Sequence, residues 1–169
     1  WIASEGRRSQ DRRARLIRIA LASGQLQQEL PLPQAWRATP GQGLGSNKGP
    51  ESLTALAPGD LLLAAEAPLL QHQTEDGISL MRRAPGDALR TAGALDVGAA
   101  GRHDGLTELL ALPTRQQLLG LRRGFAPPDQ WTARLQLFAL PEHQGPPLQP
   151  IIGWDLLEAG LPPDNWEAM

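Results

Sequence analysis

Three stretches of this chain repeat a polar turn that delivers a glutamate: residues 47–53, 103–109 and 164–169. Their acids, Glu51, Glu108 and Glu167, lie 57 and 59 residues apart. Periodicity of this length limits the architecture to stacked or radially arranged units, each too small to bury its own apolar face.

The first two copies run on in parallel. After Glu51 come an apolar stretch, a turn at Pro58 and a second apolar stretch ending at Glu66. After Glu108 the same order leads through Pro113 to a stretch ending at Arg122. The opening residues Trp1 to Glu5 resemble the end of that second stretch in a further copy. Runs 14–20, 78–84 and 133–139 follow with partial alternation of apolar and polar residues, the signature of half-buried strands. A fourth, weaker segment such as Gln25 to Leu30 completes the set.

Four short strands per repeat, separated by Gly and Pro turns, read as an all-β fold of propeller-like, four-stranded blades. The chain holds about two whole blades and pieces of two more, with repeats near 1–45, 46–101, 102–163 and 164–169. It reads as one incomplete domain over 1–169, a central fragment of a longer protein. Asp155 to Gly160 reads as a single helical turn capped by Asp155.

With 18 Gly and 16 Pro, the composition favours many short elements. Val97 is the only valine and tyrosine is absent, so propensity alone argues against strands. The repeat outweighs it. A net charge of −2 gives no electrostatic reason to expect nucleic acid. No apolar run is long enough for a membrane-spanning helix. Without cysteine there is neither a disulfide framework nor a thiolate metal site.

Other motifs carry little weight. The glycine-rich segment from Gly41 to Lys48 lacks the spacing of a phosphate-binding P-loop and reads as a surface loop. No Gly-x-Ser-x-Gly elbow is present. The arginines at 7, 8, 12, 13 and 15 read as a solvated loop, with phosphate contact as the sharper alternative. His103 adjoins the Asp104-Gly105 turn and is the histidine best placed to join a site. The tryptophans read as packing residues.

The phrases at 46–53, 105–113 and 164–169, with the opening Trp1-Ile2-Ala3-Ser4-Glu5-Gly6, resemble the phytase-like family, described by its esterase-like activity. The resemblance runs along nearly the whole chain in order. It implies a propeller-like repeat domain whose recurrent acids hydrolyse phosphate esters or phosphodiesters, and a small phosphorylated substrate or ester as partner. It also implies a periplasmic or extracellular setting. The acids it brings in are Glu5, Glu51, Glu66, Glu108 and Glu167. This sequence departs from the pattern at Arg122, where a glutamate is expected, and at Pro50, where a bulky apolar residue is commoner.

Carboxylates delivered to a shared channel cannot all stay ionised cheaply; one pKa rises or a cation enters. Oxygen ligands of this kind favour calcium. The expected site therefore has Glu51, Glu108 and Glu167 as catalytic acids and Glu5, Glu51, Glu66 and Glu108 as calcium ligands. Arg122 and Arg123 are expected to contact phosphate. The alternative is a non-catalytic propeller scaffold whose repeated glutamates tie blades together.

Overall fold

In the computed structural model, residues 1–6, 12–72, 77–96, 98, 104–141 and 145–169 are described. His103, Arg7 and Arg8 lie outside them. The described chain is all-β, with three antiparallel sheets and three single 3-10 turns.

The first sheet is a three-stranded meander of β1 (Ile2–Ser4), β2 (Arg15–Ile19) and β3 (Leu26–Pro31). The second contains β4 (Ser52–Ala57), β5 (Asp60–Ala64), β6 (Gly77–Arg83) and β7 (Arg90–Asp96) in sequence order. The third contains β8 (Gly105–Leu112), β9 (Gln117–Ala126), β10 (Gln130–Ala139) and β11 (Ile152–Asp155), again in order. These sheets are consistent with propeller-like blades. The three strands of the first sheet correspond to the second, third and fourth of the others.

Burial explains how a Leu- and Ala-rich chain makes strands. Every residue of β5 is buried, side chains on both faces included. A strand covered on both faces reads as a continuous apolar run rather than an alternating one, and here burial overrides propensity. Toward the outer edges the cover thins: most of β3 and β11 is exposed. Leu16, Leu62, Leu63, Ile78, Leu80, Leu106, Leu118 and Phe138 belong to one core that joins all three sheets.

Contacts between sheets run through their first strands. β4 packs against β8, and the Ala111 N–H donates to Thr54 Oγ1 at 2.9 Å. The edge of β7 is covered as well: the N–H of Asp96 donates to the Leu148 carbonyl, and the Leu148 N–H to that of Ala94, both at 2.9 Å. Covering an edge in this way satisfies backbone groups that would otherwise be open to pairing with another chain. After β11, residues 156–160 form a turn rather than a helix, with Asp155 Oδ1 accepting from the N–H groups of Leu157 and Glu158.

A candidate carboxylate centre between the sheets

Glu5 follows β1 directly, and Glu66 follows β5 after one intervening residue. Both therefore leave the end of the second strand of a blade. Glu51 immediately precedes β4. One carboxylate oxygen from each of Glu5, Glu51 and Glu66 lies within 4.8 Å of the others.

Glycines make this approach possible. A Cβ on Gly49 would sit 2.4 Å from Glu5 Cα, and one on Gly105 would sit 2.3 Å from Glu66 Oε1. Each glycine removes a side chain where the glutamate of the preceding sheet must pass. Backbone bonds lock the same crossing: the Glu66 N–H donates to the Gly49 carbonyl at 3.0 Å, and the Glu66 carbonyl accepts from Leu106 N–H at 2.8 Å.

The three acids differ in environment. Glu66 is buried, and Lys48 Nζ donates to its Oε1 at 2.5 Å. Glu5 Oε2 is buried without a hydrogen-bond partner among the described residues. Glu51 is exposed as a residue, yet its carboxyl oxygen meets the buried Glu66. Its pKa is raised from 4.5 to about 7, first by desolvation, then by the charges of Glu66 and Glu5, with Arg123 pulling the other way. A buried carboxylate oxygen without a donor is satisfied by a proton or by a cation. The donor set is all oxygen, which suits a hard divalent cation such as calcium. Lys48 occupies one Glu66 oxygen and would share or yield it.

Glu167 stands at the edge of this group. Its Oε1 takes Arg123 Nη2 at 3.0 Å and Asn165 Nδ2 at 2.5 Å, and its charge contributes to raising Glu51. Arg123 thus lies beside the centre, partly exposed.

Glu108 is elsewhere. The β8–β9 ladder pairs Gly105 with Arg123 and Glu108 with Leu121, while β4–β5 pairs Ser52 with Ala64. Since Gly49 and Gly105 occupy equivalent places against Glu5 and Glu66, Glu108 takes the position of Ser52. Thr107, inserted as a bulge, takes that of Glu51. A one-residue offset on a strand turns a side chain to the other face. Glu108 Oε1 instead accepts the N–H of its neighbour Leu109 at 2.9 Å, and Thr107 Oγ1 donates to the Trp166 carbonyl at 3.0 Å.

Arg122 also points away from the centre. It is buried, with Nη2 3.5 Å from Asp104 Oδ2 and Nη1 donating to Gln136 Oε1 at 2.9 Å. Thr132 Oγ1 holds the other Asp104 oxygen at 2.6 Å. Arginine where a glutamate was expected is thus matched by a buried aspartate inside the same sheet. Lys48, by contrast, came from a loop that sequence reasoning passed over; its place two residues before the shared turn's Pro50 was the available signal.

All-β sheets that bring acids of the first and second sheets toward one point define a class of proteins able to carry a carboxylate site. Within that class the chain belongs to the phytase-like family, described by the esterase-like activity of phytase, whose profile matches residues 1–169. That membership points to phosphatase- or esterase-like function. No curated protein and no solved structure matches the chain. Among the described residues, no helix is long and apolar enough to cross a membrane.

Proposed function

We propose that this chain is a divalent-cation-assisted hydrolase of phosphate esters, phosphodiesters included, with Glu5, Glu51 and Glu66 as the cation ligands. The observation that supports this most is the meeting of three carboxylates, one of which, Glu5, has a buried Oε2 without a hydrogen-bond partner among the described residues. Calcium bound there would screen the charge of a phosphoryl oxygen and acidify a water molecule.

The chain's own groups divide the remaining work. Arg123, at the edge of the cluster, orients the anionic substrate through charge-assisted hydrogen bonds. Glu167 shares that guanidinium, is exposed to water, and takes a proton from the attacking water. Lys48 fixes the Glu66 carboxylate in place. Because the Glu51 pKa is raised to about 7, a cation held there would displace a proton and bind more strongly as pH rises. Sites of this ligand class that work outside the cytoplasm are matched to higher calcium levels, which suits a periplasmic or extracellular setting.

A second reading has specific support. The carbonyl of Glu66, just past the end of β5, accepts from Leu106 N–H in β8, which joins the second sheet to the third. A non-catalytic propeller scaffold, its acids joining neighbouring blades, would need such bonds.

Hydrolysis of a chromogenic phosphodiester with calcium or with chelator separates the two, measured on wild type and Glu51→Ala. The hydrolase reading expects calcium-dependent turnover that Glu51→Ala abolishes while circular dichroism stays unchanged. Turnover that is indifferent to both chelator and substitution would overturn it.

A further inference from the structure

Where the second sheet presents Glu51, the third presents a hydroxyl. The bulge between Leu106 and Glu108 puts Thr107 at that place, and the residue is buried. A bulge re-aims the side chain of its extra residue. The Thr107 hydroxyl has one proton and two carbonyls in reach, Trp166 at 3.0 Å and Leu121 of β9 at 3.4 Å. The shorter bond is the one that leaves the sheet, and it fixes the main chain at the residue before Glu167.

Residues 162–169 form neither helix nor strand. Several of their bonds are internal: the Trp166 indole N–H donates to the Pro162 carbonyl at 3.3 Å, and the Asn165 N–H to Asp164 Oδ1 at 2.7 Å. Among the described residues, two side chains of the third sheet bond to this segment, Thr107 at Trp166 and Arg123 at Glu167. The Arg123–Glu167 pair has an exposed carboxylate, and exposed ion pairs fix geometry weakly. Thr107, being buried, supplies the firmer anchor. Arg123 depends on that anchor in turn. Its Nε is buried without a hydrogen-bond partner among the described residues, so the Nη2 bond to Glu167 at 3.0 Å is what aims the guanidinium.

We infer that Thr107 is a positioning residue: its hydroxyl, through the Trp166 carbonyl, sets Glu167 and with it Arg123 beside the carboxylate centre. The placement rests on this geometry alone. Its consequence for turnover rests on the hydrolase reading above, in which Glu167 takes the proton of the attacking water. A proton acceptor misplaced by about 1 Å costs up to about a hundredfold in rate.

Thr107→Val removes the hydroxyl while keeping nearly the same shape, and Thr107→Ser keeps the hydroxyl, so the pair separates the bond from packing. The full chain, labelled with nitrogen-15 in its five tryptophans, gives five indole N–H resonances; the one lost in Trp166→Phe is that of Trp166. In Thr107→Val this resonance should move toward that of free indole while the other four stay, and in Thr107→Ser it should stay with them. Glu167→Gln, which keeps the Thr107 bond, should also leave it in place. With calcium and a chromogenic phosphodiester, Thr107→Val should lower kcat about tenfold or more with KM little changed, and Thr107→Ser should recover most of that loss. An unmoved Trp166 resonance in Thr107→Val, its release by Glu167→Gln, a kcat equal to that of wild type, or a loss that serine does not recover would overturn the inference. A wild type without turnover, together with a Trp166 resonance released by valine alone, would uphold the placement and refute the hydrolase.

Discussion

Gly49 lies against Glu5 so closely that a methyl group on its Cα would fall 2.4 Å from the glutamate's own Cα. Backbone thus meets backbone at the point where the first sheet hands its acid to the second. Glu51, two residues further on, is held facing Glu5 by that contact. Replacing Gly49 by Ala should cost about 1–3 kcal/mol, since neither main chain can move aside cheaply. Gly105→Ala should cost less, because it meets the Glu66 side chain rather than backbone. Chemical denaturation of both variants compares them, and equal or negligible losses would remove the close approach from the account.

The pH dependence has a definite sign. Glu51 is raised from 4.5 to about 7 in the folded chain, so between those values the native state binds more protons than the unfolded state. Stability of the metal-free chain should therefore fall as pH rises from about 4.5 to about 7, and then level for this group. Glu51→Gln should flatten that slope and raise the melting temperature at pH 8 by a few degrees, on the order expected for 1 kcal/mol relieved. Melting curves in chelator at pH 5 and pH 8 read both effects.

Arg123 lowers the Glu51 pKa by its charge. Arg123→Gln should push the Glu51 titration upward, release Glu167 and, by removing a charge that repels a cation, tighten calcium binding. Its activity loss should appear at least partly in KM if the side chain orients substrate. A variant with unchanged KM and an unchanged pH profile would place Arg123 outside the site.

Arg122 tests the opposite role. Breaking its buried pairing with Asp104 leaves a carboxylate in the core of the third sheet. Arg122→Ala should cost about 3–5 kcal/mol. Any loss of turnover should follow the loss of folded protein; a variant that stays folded but fails to bind substrate would restore Arg122 as a phosphate contact.

Much of the fold could be read from residue order. The turn-and-strand repeat anticipated β4–β5 and β8–β9, and the alternating runs at 14–20, 78–84 and 133–139 mark β2, β6 and β10 closely. The family resemblance was legible in the same phrases. The site was harder to read because a strand site depends on register to a single residue. Glu51 and Glu108 look equivalent by their distance from the turn, but the bulge at Thr107 and the placement of Gly105 shift Glu108 by one position and so onto another face. Arg122 and Arg123 are adjacent and chemically alike; the pleat turns one into the core and leaves the other beside Glu167. The arginines at 12, 13 and 15 read as solvated, and all three are exposed.

The most direct test of the carboxylate centre is calorimetric titration of the full chain with calcium at pH 7, for wild type and Glu51→Gln, in two buffers of different protonation enthalpy. The account predicts one saturable site that releases a proton fraction on binding and is weakened at least about tenfold by the substitution. Absence of binding in the wild type, or equal affinity in both proteins, would contradict it.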